Sequence, residues 1–97
     1  MEVLKLKTPV LIDGKEKTEI EYNLEALTGA DVQLATKELQ EAGVMVTTLE
    51  FDANYHAAIF AKAAGIAYAD MSRFSLKDYT KATTKVRNFF LADLEEA

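Results

Sequence analysis

Cysteine and tryptophan are missing from this 97-residue chain, and proline and histidine occur once each. Without cysteine there can be no disulfide, thiolate zinc site, iron–sulfur cluster or thiol nucleophile. That composition is also compatible with a reducing compartment. Four glycines and one proline leave no linker-like, low-complexity stretch. No apolar run approaches the ~20 residues that a membrane-spanning helix needs. The N-terminal MEVLKLKTPV mixes charged and apolar residues instead of building a continuous signal-peptide core. Basic residues are the minority, with 11 Lys and Arg against 16 Asp and Glu, a net charge of -5 and a pI near 4.8. That balance disfavours a general nucleic-acid binder. The expectation is a small, soluble, acidic, intracellular protein.

What is present is globular. Hydrophobic residues make up 49% and charged residues 28%, close to the average of folded domains, and the length suits a single domain over residues 1–97. Residues 3–22 read as a β-hairpin. Leu4, Leu6, Thr8 and Val10 alternate with Lys5, Lys7, Pro9 and Leu11, and Asp13-Gly14 marks the turn. A two-residue loop would set Lys7 against Ile20 and Leu6 against Glu21. A three-residue loop with Gly14 as the bulge residue sets Leu4 opposite Tyr22, Leu6 opposite Ile20 and Thr8 opposite Thr18, with Lys5 facing Glu21 and Lys7 facing Glu19 on the other side. Favourable cross-strand pairs contribute roughly 0.2–1 kcal/mol each, so the bulged turn is the expected register.

Residues 28–95 read as three helices. Thr28-Gly29-Ala30-Asp31 has the form of a capping box, Val32, Ala35, Leu39 and Ala42 recur at helical spacing, and Gly43 suits the position just past the helix end. The stretch Val44-Met45-Val46-Thr47-Thr48-Leu49 is a connector. Asp52 caps a second helix running to about Ala64, with Tyr55, Ala58, Ile59 and Ala63 on its apolar stripe and Gly65 ending it. Residues 67–74 form a loop or a single turn. Ser75 caps a third helix whose apolar face carries Tyr79, Ala82, Val86, Phe89, Phe90 and Leu94, while Lys77, Lys81 and Lys85 form a stripe on another face. The fold class is α+β, an N-terminal β-hairpin followed by about three α-helices.

Little of this carries catalytic chemistry. His56 and Asp52, one helical turn apart, make an incomplete metal or acid–base site, and an ordinary helix histidine is the simpler reading. Ser72 and Ser75 lie outside any nucleophile elbow, and Ser75 has a role as a cap. Asp13-Gly14-Lys15 lacks the spacing of a phosphate loop. No catalytic, cofactor-binding or metal-binding residue is assigned. The lysine stripe, with Arg73 and Arg87 nearby, has no interleaved aromatics for base stacking, so a solvated helix face is favoured over a nucleic-acid contact. Phe89-Phe90-Leu91 is more informative. Consecutive helical residues point about 100° apart, so two of these can flank one apolar face while Leu91 falls outside it. A wide apolar terminal helix is suited to self-association or to capturing another helix.

The ordered set of Asp-Gly-Lys-Glu turn (13–16), Leu-Thr-Gly-Ala-Asp cap (27–31), Ala-Ala-Gly-Ile helix end (63–66) and Leu-Lys-Asp-Tyr helix entry (76–79) resembles the small tail assembly chaperones of long-tailed bacteriophages and prophages. The resemblance covers roughly residues 8–91. It implies a non-enzymatic factor in the host bacterial cytoplasm that coats the tape measure protein and leaves before the virion is complete. It also implies a possible longer frameshifted form that recruits tail tube protein; the wide apolar terminal helix adds the expectation of a homo-oligomer. On that basis Tyr79, Val86, Phe89, Phe90 and Leu91 are the expected partner or oligomer contacts. A structural ring or connector subunit and a small adaptor or regulator are the alternatives.

Overall fold

The alternating N-terminal segment forms a two-stranded antiparallel sheet, β1 (Glu2–Ile12) and β2 (Lys15–Tyr22). The structure is a computed structural model that describes residues 2–46 and 52–96, with side chains to residue 92. The turn differs from expectation. Ile12 pairs directly with Lys15, and the two residues between them sit at positive φ, 52° for Asp13 and 77° for Gly14. Both central residues of a type I′ hairpin loop need positive φ, and Asp-Gly is among the pairs that tolerate it best. The loop therefore has two residues, and Gly14 is not a bulge residue of a three-residue loop.

The irregularity lies instead in the middle of the sheet. Near the turn Val10, Leu11 and Ile12 pair with Lys17, Glu16 and Lys15; beyond it Leu4 and Lys5 pair with Ile20 and Glu19. Between these paired blocks β1 holds Leu6, Lys7, Thr8 and Pro9, while β2 holds Thr18 alone. Leu4 thus faces Ile20 and not Tyr22, Lys5 faces Glu19 and not Glu21, and the expected Leu6–Ile20, Lys7–Glu19 and Thr8–Thr18 pairs do not form. Pro9 has no N–H to give a ladder, and the N–H groups of Lys7 and Thr8 are engaged elsewhere, by the third helix. The buried face of the sheet still holds Leu4, Val10, Ile12, Ile20 and Tyr22.

The helices follow their terminal signals. Leu24–Ala26 makes a short 3-10 turn, and α1 spans Gly29–Glu41. Asp31 reaches back to accept from the Thr28 N–H at 2.8 Å, occupying one of the donors that a helix start leaves open. At the other end the Gly43 N–H donates to the Gln40 carbonyl and the Val44 N–H to that of Leu39, with Gly43 at φ 77°, which is a Schellman ending. Helix α2 (Ala53–Ala64) starts under Asp52, whose Oδ1 accepts from Asn54 and Tyr55 N–H. A 3-10 segment, Tyr68–Arg73, leads to α3 (Leu76–Glu96). Of the connector 44–49, residues 47–49 lie outside the described residues, as does the side chain of Leu94.

Helix α2 is the centre of the molecule. Every residue from Tyr55 to Ala61 is buried, so it carries no free polar face and is packed on all sides. Its alanines let neighbours approach closely. Ala35 and Leu39 of α1, Ala82 and Val86 of α3, and the inner face of the hairpin all close on it. Tyr22 of the sheet meets Phe60 with ring centroids 5.0 Å apart. A Lys62–Glu38 ion pair ties α2 to α1. His56 is part of this core, its ring centroid 6.1 Å from those of both Tyr55 and Phe90.

Candidate functional site: a clipped helix and its apolar groove

One side chain ties the start of α3 to the hairpin. Asp78 is fully buried. Its carboxylate accepts from the Lys7 N–H at 2.9 Å and the Thr8 N–H at 3.0 Å, two donors from the irregular stretch of β1. Lys81, one turn along, places its ammonium 3.3 Å from Asp78 Oδ1 and donates to the Lys5 carbonyl at 2.6 Å. The Ser75 hydroxyl accepts from the Asp78 N–H at 3.2 Å, so Ser75 is a cap as expected. Asp78, however, serves the distant strand. Burial by itself pushes the Asp78 carboxyl up, but the N–H groups of Lys7 and Thr8, then Ser75 and Lys81, outweigh it and hold the group down at about 2. Of the expected lysine stripe, Lys81 belongs to this clip.

With its start fixed to the hairpin, α3 runs across α2 and presents the residues of the C-terminal aromatic run to the start of α1. Leu24, Leu27, Val32, Ile59, Val86, Phe89 and Phe90, with Thr28 and Gly29 at the start of α1, line a mainly apolar groove of about 190 Å³. This is smaller than the ~300–1,000 Å³ of typical small-molecule sites, and no charged side chain lines it. It has the size and polarity to seat a bulky apolar side chain. A second, more polar depression of about 530 Å³ shares Leu24 and Phe89 with it and adds Glu2, Glu25, Lys85 and Asn88. Leu24 and Phe89 therefore form the wall between the two.

The sequence-predicted contact residues separate in space. Val86, Phe89 and Phe90 converge on the groove. Val86 is fully buried and forms its floor. Phe90 is half-buried, packs against the core and stacks on Tyr55 at 6.0 Å with the rings 13° apart. Phe89 is half-buried beside it, 6.2 Å between ring centroids. Leu91 is half-buried and does not line the groove. Tyr79, nearly three turns earlier, also lies outside it. Burial pushes the Tyr79 phenol above its ordinary range, and Tyr68 and Asp52 add to the shift. Leu24 and Leu27 were not among the predicted contacts. Their three-residue spacing was the available signal, but it falls in a 3-10 turn too short to show a period.

Among the described residues no group of three or more His, Asp or Glu side chains is placed to hold a metal ion, and no described helix is long and apolar enough to cross a membrane. Searches of curated proteins and of solved structures gave no match. A family model does match: that of phage tail assembly chaperone proteins, E, or 41 or 14, aligns with residues 3–91. This span takes in the hairpin, the Asp78 clip and the groove together. The chain belongs to the phage tail assembly chaperone family, a family of chaperones and not of enzymes.

Proposed function

We propose that this protein binds and solubilises the tape measure protein during tail morphogenesis, by seating apolar side chains of that protein's helices in the groove beside Phe89. The observation that carries the reading is the groove itself, an apolar slot edged by a half-buried phenylalanine on a helix that is clipped to the rest of the domain. Helix-in-groove capture uses such slots, with anchors of the incoming helix at positions one turn apart. The net charge of -5 keeps a coated assembly dispersed by self-repulsion. Work of this kind belongs in the host bacterial cytoplasm, and the protein is absent from the finished virion. A longer frameshifted product would add the contact to tail tube protein.

Co-expression with the tape measure protein encoded alongside it tests this reading. The expected result is that the tape measure moves to the soluble fraction and copurifies with this chain. A tape measure that stays insoluble while this chain elutes alone, or this chain retained in purified virions, would return the choice to a ring or connector subunit.

A further inference from the structure

We propose that two copies of this chain pair through the open edge of β2, antiparallel and centred on Thr18, to make a continuous four-stranded sheet. Among the described residues β2 has β1 on one side and no strand on the other. A trough of about 670 Å³ runs along it, bordered by every residue from Lys15 to Glu21 and, on the far wall, by Ala64, Gly65 and Ile66 at the end of α2. Successive strand residues point to opposite faces. A depression bordered by seven in a row therefore follows the strand's edge and not one of its faces. Unpaired N–H and C=O groups along such an edge are a template for another strand.

The occupant is identified by charge. Residues 15–21 read Lys-Glu-Lys-Thr-Glu-Ile-Glu. About a two-fold axis at Thr18, Lys15 faces Glu21 of the second copy and Lys17 faces its Glu19. The symmetry repeats both pairs, giving four opposite-charge pairs and no like-charge pair. Centring on Lys17 or on Glu19 sets that residue against its own copy, and the intermediate registers set Glu16 against Glu19 or Glu21. The strand is thus complementary to itself in one register, and opposite charges directly across a strand pair are favourable while like charges are unfavourable. A two-fold interface of this type presents the same patch from both subunits. Lys15 and Glu21 have no charged partner inside their own hairpin, where they pair with Ile12 and Val3, so their charges are free to serve this contact. The groove beside Phe89 plays no part in it, and either contact can exist without the other.

Sedimentation of the full chain over a concentration series, with charge-reversal variants, tests the pairing. Lys15→Glu and Glu21→Lys are each expected to weaken dimerisation by about tenfold, and the double variant, which reverses both ends of each pair, restores it. Thr18→Cys gives an independent readout in a chain that has no cysteine of its own. Residue 18 lies opposite its own copy, about 5 Å away between Cα atoms, so mild oxidation should yield a covalent dimer. Glu16→Cys, displaced well beyond the ~7 Å limit for a disulfide, should not. Circular dichroism of each variant establishes that the fold is kept. A chain that is monomeric throughout, a dimer indifferent to the single reversals, or a Thr18→Cys variant no more cross-linked than Glu16→Cys overturns the proposal.

Discussion

At the scale of single residues, Asp78 is the most consequential side chain in the domain. It satisfies two backbone donors some 70 positions away in sequence and so ties the first turn of α3 to β1. Removing it leaves those N–H groups and the Lys81 ammonium without their buried acceptor, so Asp78→Ala should cost about 3 kcal/mol in urea unfolding. The pH dependence follows from the direction of its shift, from 3.8 down to about 2. A carboxylate whose folded-state value is depressed contributes fully above its unfolded value, and the contribution is lost as pH falls through the folded one. Stability should therefore be level in this respect above about pH 5 and drop between pH 3.8 and about 2, a step missing from Asp78→Asn. The Ser-x-x-Asp spacing marked a helix start, and Ser75 does cap it. The same spacing holds no information about a partner in β1, because a carboxylate one turn into a helix can serve its own N-terminus or any donor the fold brings near.

The two phenylalanines divide in the same local way. Phe90 stacks on Tyr55 and packs against the core, so Phe90→Ala should lose about 2 kcal/mol of stability on thermal or urea unfolding. Phe89 is part of the groove wall, so its truncation should change stability by less than about 1 kcal/mol while weakening partner capture. Helical spacing brought both to the same side of α3. Which of them the core would claim depends on Tyr55 and His56 of another helix, a matter that a helical wheel cannot contain.

At the scale of elements, the boundaries were legible where the backbone chemistry is local. Thr28 with Asp31, Asp52 before Asn54, and Gly43 and Gly65 past the ends of α1 and α2 act within a few residues of themselves. The sequence therefore shows them directly. The hairpin was legible as a hairpin for the same reason. Its register was not, because the count of cross-strand pairs assumed an unbroken ladder, whereas β1 carries four residues against the single Thr18. That excess is stabilised by Asp78 from outside the sheet. The two-residue turn gives a direct check: Gly14 sits at φ 77°, so Gly14→Ala should cost about 1 kcal/mol in the same unfolding measurement although a Cβ there meets no neighbour. An unchanged midpoint would mean that the turn relaxes to another type.

At the scale of the whole molecule, the domain is organised around a helix buried from every side, with the hairpin, α1 and α3 closing on it. The class of fold was readable from the order of patterns, alternation first and helical spacing after. The groove was not, since it is made where a 3-10 turn, the start of α1, one residue of α2 and the later turns of α3 meet. Only the α3 contribution stands out in the sequence. That arrangement gives the protein an apolar slot on a helix whose start Asp78 ties to the hairpin, on a chain otherwise acidic, features on which the proposed covering of another protein's helices rests.

The most direct measurement is quantitative capture of the co-expressed tape measure protein by the wild-type chain and by Phe89→Asp, with circular dichroism to establish that the variant is folded. The account predicts soluble complex with the wild type and at least a tenfold loss with the variant. Equal capture by a folded Phe89→Asp would contradict it and place the binding surface away from this groove.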